Sequence, residues 1–283
     1  MVRPDLHLHT NASDGVFSPE LMLHECRMAG LTHMSVTDHD TFAGSDQVVS
    51  MGGDGLTIIP GVELSISDMH GLHLLGYGTA GDSPIREKVL DLAQKREERA
   101  RRIVERLESM GMPLDFRAMM RRRRLTGGGG ATFGRPHIAR AMVHAGYVRN
   151  MQEAFEKYLG NGKCAYVPCE RLNMQQALEL LRASGFVSVV AHPVELNLEE
   201  SVLRSLLSKW KDLGLMGVEV YHPSAQSWGF ERLDRIARSM GFLVTGGSDF
   251  HQENDPKHAR IGSTAAVWNQ SERDIELLLQ SID

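Results

Sequence analysis

The sequence predicts an α/β barrel carrying a helical insert, on three observations. Short apolar runs alternate with amphipathic helical runs along most of the 283 residues, the pattern of parallel strands joined by helical crossovers. Seven strand candidates suit a barrel better than an open sheet. From Pro84 to Val167 the alternation stops and only helical patterns remain. The expected organisation is a barrel over 1–83 and 168–283, with the insert over 84–167 capping it.

The first strand is "DLHLH" (5–9). Strand period two turns His7 and His9 to one side and Leu6 and Leu8 to the other. A buried imidazole pair needs partners for its nitrogens. A metal is one such partner; a partly exposed strand end with two ordinary histidines is the other reading. "SPELMLHECRMAG" follows, with Ser18 as N-cap, Pro19 at the first helical position and Gly30 as the stop. The next strands are "HMSVTDHD" (33–40), "LTIIPGVEL" (56–64) and "LHLLGYG" (72–78). The insert opens on a long charged helix from Pro84. Two helical pieces then flank a glycine-rich break at 127–130, and "NMQEAFEKYLGNGKCAYV" adds another helix. Beyond it, "NMQQALELLRASG" is capped by Asn173 and stopped by Gly185. Strands at 186–193, 217–223 and 242–251 alternate with helices in "LEESVLRSLLSKWKDLG" and "FERLDRIARSMG".

Composition narrows the function. Hydrophobic residues make up 42% and charged residues 24%, ordinary for a globular protein. No run reaches the roughly 18 apolar residues that span a membrane, and Pro4 leads straight into a strand without a signal pattern. The expectation is a cytoplasmic protein without membrane partners. Cys26, Cys164 and Cys169 are few, odd in number and lack Cys-x-x-Cys spacing, so no disulfide framework is expected. A formal net charge of −5 argues against stable binding to duplex DNA.

The reactive side chains cluster by place. Nearly every strand candidate carries metal-competent residues at one end: His7 and His9 with Asp14 beyond, Asp38–His39–Asp40, Glu63, His73, His192, Glu219 and His222, then Asp249 and His251. The C-terminal rim of an α/β barrel is where loops build active sites. One such histidine reads as structural; a rim of them reads as a site. Mixed imidazole and carboxylate without cysteine suits Zn, Mn or Fe. So many candidate ligands exceed the needs of one ion, and Glu63 can bridge two. Neighbouring divalent ions polarise phosphoryl oxygens and lower the pKa of water from ~15.7 to ~7.

"DLHLHTNASDG", "VTDHD", "GVELS", "HLLGYG", "VVAHP" and "GSDFH" closely resemble the signature segments of the PHP (polymerase and histidinol phosphatase) metal-dependent phosphoesterases. The resemblance covers nearly the whole chain. It implies a distorted (β/α)7 barrel with two to three divalent ions. One would be held by His7, His9, Glu63 and Asp249, a second by Glu63, His73 and His192, and a third by Asp14, His39 and His251. Asp14 stands where some members carry histidine.

Within the insert, "FGRPHIARAMV" and "KYLGNGKCAYVP" resemble the branch that includes 3′,5′-nucleoside bisphosphate phosphatases and a 5′–3′ exoribonuclease. Arg135, His137, Lys163 and Tyr166 become candidates to hold phosphate or base, and Arg135 can stabilise charge on the reacting phosphate. Arg135 also reads as a solvated helix start, and Tyr166 as core packing. His222, on the rim without an assigned metal, is the candidate acid for the leaving oxygen. Arg121–Arg124 reads as a solvated face or as a basic flap. The implied activity removes the 3′-phosphate of a 3′,5′-bisphosphate and trims short 5′-phosphorylated oligonucleotides, releasing phosphate or nucleotide. The alternatives are a histidinol-phosphate or other phosphomonoester phosphatase, and a metal-stabilised nucleic-acid-binding module.

Overall fold

A computed structural model describes residues 2–127, 133–253, 259–268 and 270–282, with the side chains of 122–127 left aside. The Arg122–Arg124 side chains and most of the glycine-rich break lie outside the described residues.

Two sheets form the barrel-like body. The first has the order β1 (Pro4–Leu8), β2 (His33–Val36), β3 (Thr57–Ile58), all parallel. The second runs β4 (Gly61–Ser65), β5 (His73–Tyr77), β6 (Val187–Val190), β7 (Gly217–Tyr221), β8 (Leu243–Gly246). Parallel bridges at Leu8–Phe250 and His39–Glu63 tie the two sheets at their two seams. At the first seam the chains approach closely, and a Cβ on Gly247 would stand 2.3 Å from the Cβ of His7. Only glycine fits there.

Two strand expectations change. The run 56–64 divides at Pro60, which has no N–H to give to a ladder, so β3 and β4 belong to different sheets. The sheet is also not all parallel: β5 runs antiparallel to both β4 and β6. Only residues 66–72 separate β4 from β5, too few for a parallel crossover, which takes a dozen or more. The reversal has a consequence for the site. Ser65, the last residue of β4, pairs with His73, the first of β5. His73 therefore reaches the rim from the start of its strand, while His9, His39, His192, Asp249 and His251 reach it from beyond the ends of theirs.

The helices follow their caps. In α1 (Pro19–Met28) the Ser18 side chain accepts the Leu21 N–H. A later helix, Met174–Ala183, starts with a reciprocal Asn173–Gln176 capping box. Two helices went unread in the sequence, α2 (Ala43–Met51) and the last helix, Ser271–Gln280. Neither has a side-chain cap, and α2 carries Gly44 because any Cβ there would strike the Asp38 carboxylate.

After β5 come α3 (Pro84–Ser109), α4 (Phe116–Gly127), α5 (Arg135–His144) and α6 (Met151–Ala154). α6 passes directly into a wide π-type turn at Phe155–Leu159. Ile103, Leu107, Phe133, Ile138, Met142 and Leu159 build a hydrophobic cluster here, apart from the cluster around Leu74, Val189 and Val218 in the second sheet. Among the described residues, no helix is long and apolar enough to cross a membrane.

Candidate metal centre

Five imidazoles converge on one carboxylate. Glu63, near the middle of β4, is 1% exposed. Its Oε1 lies 2.9 Å from His73 Nδ1 and 3.0 Å from His192 Nε2. Its Oε2 lies 2.9 Å from His39 Nδ1, 3.3 Å from His9 Nε2 and 3.4 Å from His7 Nε2. Burial pushes the Glu63 carboxyl up, but His39, His73 and His7 together hold it well below the usual carboxylate range.

Asp249 forms a second focus beside it. Its Oδ1 stands 3.1 Å from His9 Nε2, 3.4 Å from His7 Nε2 and 3.5 Å from His251 Nδ1. Asp14, in the loop after β1, lies 3.3 Å from His251 Nε2 and 3.9 Å from His39 Nε2. All nine ligands expected from the sequence thus meet in one place. Potential ligand atoms fall into four groups, each within 4.8 Å: His9–Asp14–His39–His251, His7–His9–Glu63, His7–His192–Asp249 and His39–Glu63–His73. The partition differs in detail from the expected triplet. His39 reaches both Glu63 and Asp14, and His192 reaches toward His7 and Asp249 as well as Glu63.

The donor set fits divalent metal. His7 Nε2, His9 Nε2 and Glu63 Oε2 are buried and make no hydrogen bond. His7 Nδ1 faces Glu219 at 2.9 Å, so in the neutral ring Nδ1 carries the proton and Nε2 presents a lone pair to two carboxylates. A lone pair aimed at anions is repelled unless a proton or a cation stands between them. Burial lowers the His7 pKa, but Glu219, Asp249 and Glu63 raise it well above the ordinary value, so these carboxylates favour a positive charge at Nε2. A divalent ion satisfies the same atoms.

The backbone is bent to build this rim. Asp40, His192 and Asp249 have φ of 49°, 27° and 51°, a region that costs a non-glycine residue of order 1–3 kcal/mol. Each sits just past the end of a strand, where the chain must turn a side chain inward.

Other buried carboxylates support the centre. Glu219 holds His7, and its other oxygen accepts the His192 backbone N–H at 2.7 Å. Asp38 accepts the Thr10 N–H at 2.8 Å, the Thr10 hydroxyl at 2.6 Å and the Ser13 hydroxyl at 2.5 Å. It thereby ties down the loop that bears Asp14. Asp40 pairs with Arg96 and accepts the Ser65 N–H at 3.0 Å.

His222 lies between Asp249 and Ser224. It is fully buried, with Nε2 3.4 Å from Asp249 Oδ2. The Ser224 backbone N–H donates to its Nδ1 at 3.1 Å. Ser224 Oγ lies nearer the same nitrogen, at 2.7 Å, so the ring is held between Ser224 and Asp249.

The residues singled out between Pro84 and Val167 separate into different settings. Arg135 and Tyr166 stand together, the guanidinium carbon 5.6 Å from the ring centroid. Arg135 also donates to the Leu159 carbonyl at 3.0 Å. His137 closes the start of α5 instead, accepting the Gly134 N–H at 3.2 Å and stacking on Phe133. Lys163 is exposed. Arg96, Arg99 and Arg171, near Arg135, were not singled out in the sequence; isolated arginines in helical runs carry no motif.

The PHP domain family matches residues 5–118. The 5′–3′ exoribonuclease Rnm of Salmonella typhimurium is 34% identical over 253 residues, covering 88% of this chain and 85% of the relative. The 3′,5′-nucleoside bisphosphate phosphatase of Chromobacterium violaceum is 28% identical, covering 89% of this chain and 88% of the relative. A solved structure from Bifidobacterium adolescentis, named among the metal-dependent phosphoesterases, superposes with a TM-score of 0.82 at 28% identity, covering 99% of this chain and 96% of the other.

Proposed function

The chain belongs to the PHP-domain family of metal-dependent phosphoesterases, and on that premise we propose that it acts on small nucleotides. Its substrates are 3′,5′-nucleoside bisphosphates, from which it removes the 3′-phosphate, and short 5′-phosphorylated RNAs, which it trims from the 5′ end. The observation that carries the reading is the convergence of His7, His9, His39, His73 and His192 on Glu63, in a chain related over most of its length to enzymes of those two activities.

Two to three divalent ions (Mn, Zn or Fe), when bound, supply Lewis acidity to the phosphoryl oxygens and acidify the attacking water. Glu63 would serve more than one ion, and Asp14, His39 and His251 would hold another. The protein's own groups do the rest. Glu219 and the Ser224–His222–Asp249 relay hold ligand atoms in place before substrate arrives. The helical segment 84–167 caps the centre, and Arg135 with Tyr166 contacts the substrate.

The test is a length series of 5′-phosphorylated RNAs at fixed salt, beside adenosine 3′,5′-bisphosphate and the same RNAs lacking the 5′-phosphate. The expected result is hydrolysis of the bisphosphate and of short RNAs, falling as length grows and depending on the 5′-phosphate. The insert offers no run of aromatic side chains to stack successive bases, and the net charge of −5 opposes tracking along a long strand. Equal rates on long RNA, or indifference to the 5′-phosphate, would overturn the reading.

A further inference from the structure

A cavity of about 770 Å³ opens between the loop that carries Asp14 and helices α4 and α5. One wall is made by Asn11, Gly15 and Val16, which flank Asp14 in its loop. The cavity therefore borders the Asp14–His39–His251 end of the metal centre. The facing wall comes from Leu114 and Ala118 and from one face of α5. On α5, His137, Arg140, Ala141 and His144 recur at i, i+3, i+4 and i+7. That spacing puts Arg135 on the opposite face of the helix.

The volume lies in the usual range for small-molecule sites, about 300–1,000 Å³, and the lining has their make-up, apolar with a few placed polar groups. Phe133 and His137 both line it and stack on each other, with centroids 5.1 Å apart and planes at 26°. Asn11 Oδ1 is buried there without a hydrogen-bond partner, an acceptor for an amine or a hydroxyl. The Asp115 carboxylate on the same wall is engaged at the start of α4, where it accepts the Ala118 N–H at 2.8 Å. Arg140 and His144 are exposed at the rim, and Arg140 has no ion-pair partner among the described residues. A planar ring bearing amines and hydroxyls, carried on an anionic chain, meets each of these groups. A nucleoside within a nucleic-acid strand is such a ligand.

Resting on the phosphoesterase reading above, we propose that this cavity receives the nucleoside on the 3′ side of the cleaved linkage, the second residue of a 5′-phosphorylated RNA. Water adds to the phosphorus of that linkage, the bond from phosphorus to the first residue's 3′ oxygen breaks, and that oxygen takes up a proton. The first residue leaves as a nucleoside 5′-monophosphate. The phosphate stays on the second residue, whose base lies between the Asp14 loop and α5. A 3′,5′-bisphosphate has no second nucleoside and leaves the cavity empty, so only RNA engages it. One nucleoside fills the cavity, and a longer strand leaves past Arg140 and His144 into solvent.

The test uses the metal-loaded full chain and three ligands: a 5′-phosphorylated diadenylate, the same dinucleotide with an abasic second residue, and adenosine 3′,5′-bisphosphate. Calorimetric titration with the two dinucleotides, their cleavable 3′ oxygen replaced by methylene, reads the cavity without turnover. Removing the second base is expected to weaken binding, and to lower kcat/KM of the cleavable form, by about 5- to 100-fold, the worth of one stacked base. Ala118→Phe and Ala141→Phe fill the cavity from different helices, and each is expected to erase that difference. Binding of the abasic ligand reports that a variant is folded. Equal affinity of the unsubstituted protein for the two dinucleotides would overturn the proposal, as would a base-dependent difference that survives both substitutions. Base-dependent binding, erased by the substitutions, without hydrolysis of any of the three ligands would support the cavity and overturn the proposed activity. Hydrolysis of bisphosphate and dinucleotide that is indifferent to the second base would overturn the cavity alone.

Discussion

Glu219 Oε1 lies 2.9 Å from His7 Nδ1, with both side chains fully buried and 212 residues apart in sequence. The carboxylate fixes the His7 tautomer and aims Nε2 at the space between Glu63 and Asp249. Its second oxygen holds the His192 backbone, so one side chain orients two ligands. Replacing Glu219 by Gln keeps the volume and removes the charge. Metal affinity should fall about 10- to 100-fold, measured by competition with a chelator of known affinity. An unchanged affinity would mean that His7 is oriented by packing alone.

Glu63→Ala should lower bound metal by more than one ion per chain and abolish phosphoesterase activity, because five histidines face its two oxygens. Asp14→Ala should loosen one ion only, since Asp14 touches the His39–His251 end of the cluster. Elemental analysis of the purified variants checks both. Loss of a single ion from the Glu63 variant would rule out a shared carboxylate.

Asp38 is buried and bonds Thr10 and Ser13, so its effect on the centre runs through the loop that carries Asp14. Asp38→Asn should loosen the same ion as Asp14→Ala while leaving the others bound. The double variant should then lose little more metal than either single one. Additive losses would show that the two residues act on different ions.

Away from the centre, Arg238 grips Asp274 with two parallel bonds of 2.8 and 2.7 Å, and Trp268 Nε1 donates to the same carboxylate at 2.8 Å. Asp274 is 2% exposed. Asp274→Ala leaves the indole N–H unpaired and takes one of two carboxylates from Arg238, which keeps Asp234 at 2.9 Å, and should cost about 2 kcal/mol of stability. Denaturant unfolding of the metal-loaded protein reads this directly. A change below about 1 kcal/mol would show that solvent replaces the lost partner.

The alternation of strand and helix, and the identity of the metal-competent rim, are legible in the sequence because both are local. Period two orients His7 and His9, caps such as Ser18 and Asn173 mark helix starts, and the ligands sit in short motifs at strand ends. Tertiary structure decides what depends on partners distant along the chain. Sequence presents Asp38, Asp40 and Glu219 as metal-competent, equal in kind to Glu63. Only the fold turns Glu63 toward five imidazoles, while it sets Asp38 against Thr10, Asp40 against Arg96 and Glu219 behind His7. A short carboxylate can ligate an ion, cap a backbone N–H or neutralise a guanidinium with the same atoms. The reversal of β5, which brings His73 to the rim, and the meeting of Arg99 and Arg135 at Tyr166 have the same origin. The packing of segments tens of residues apart sets which groups meet, and no local pattern encodes that distance.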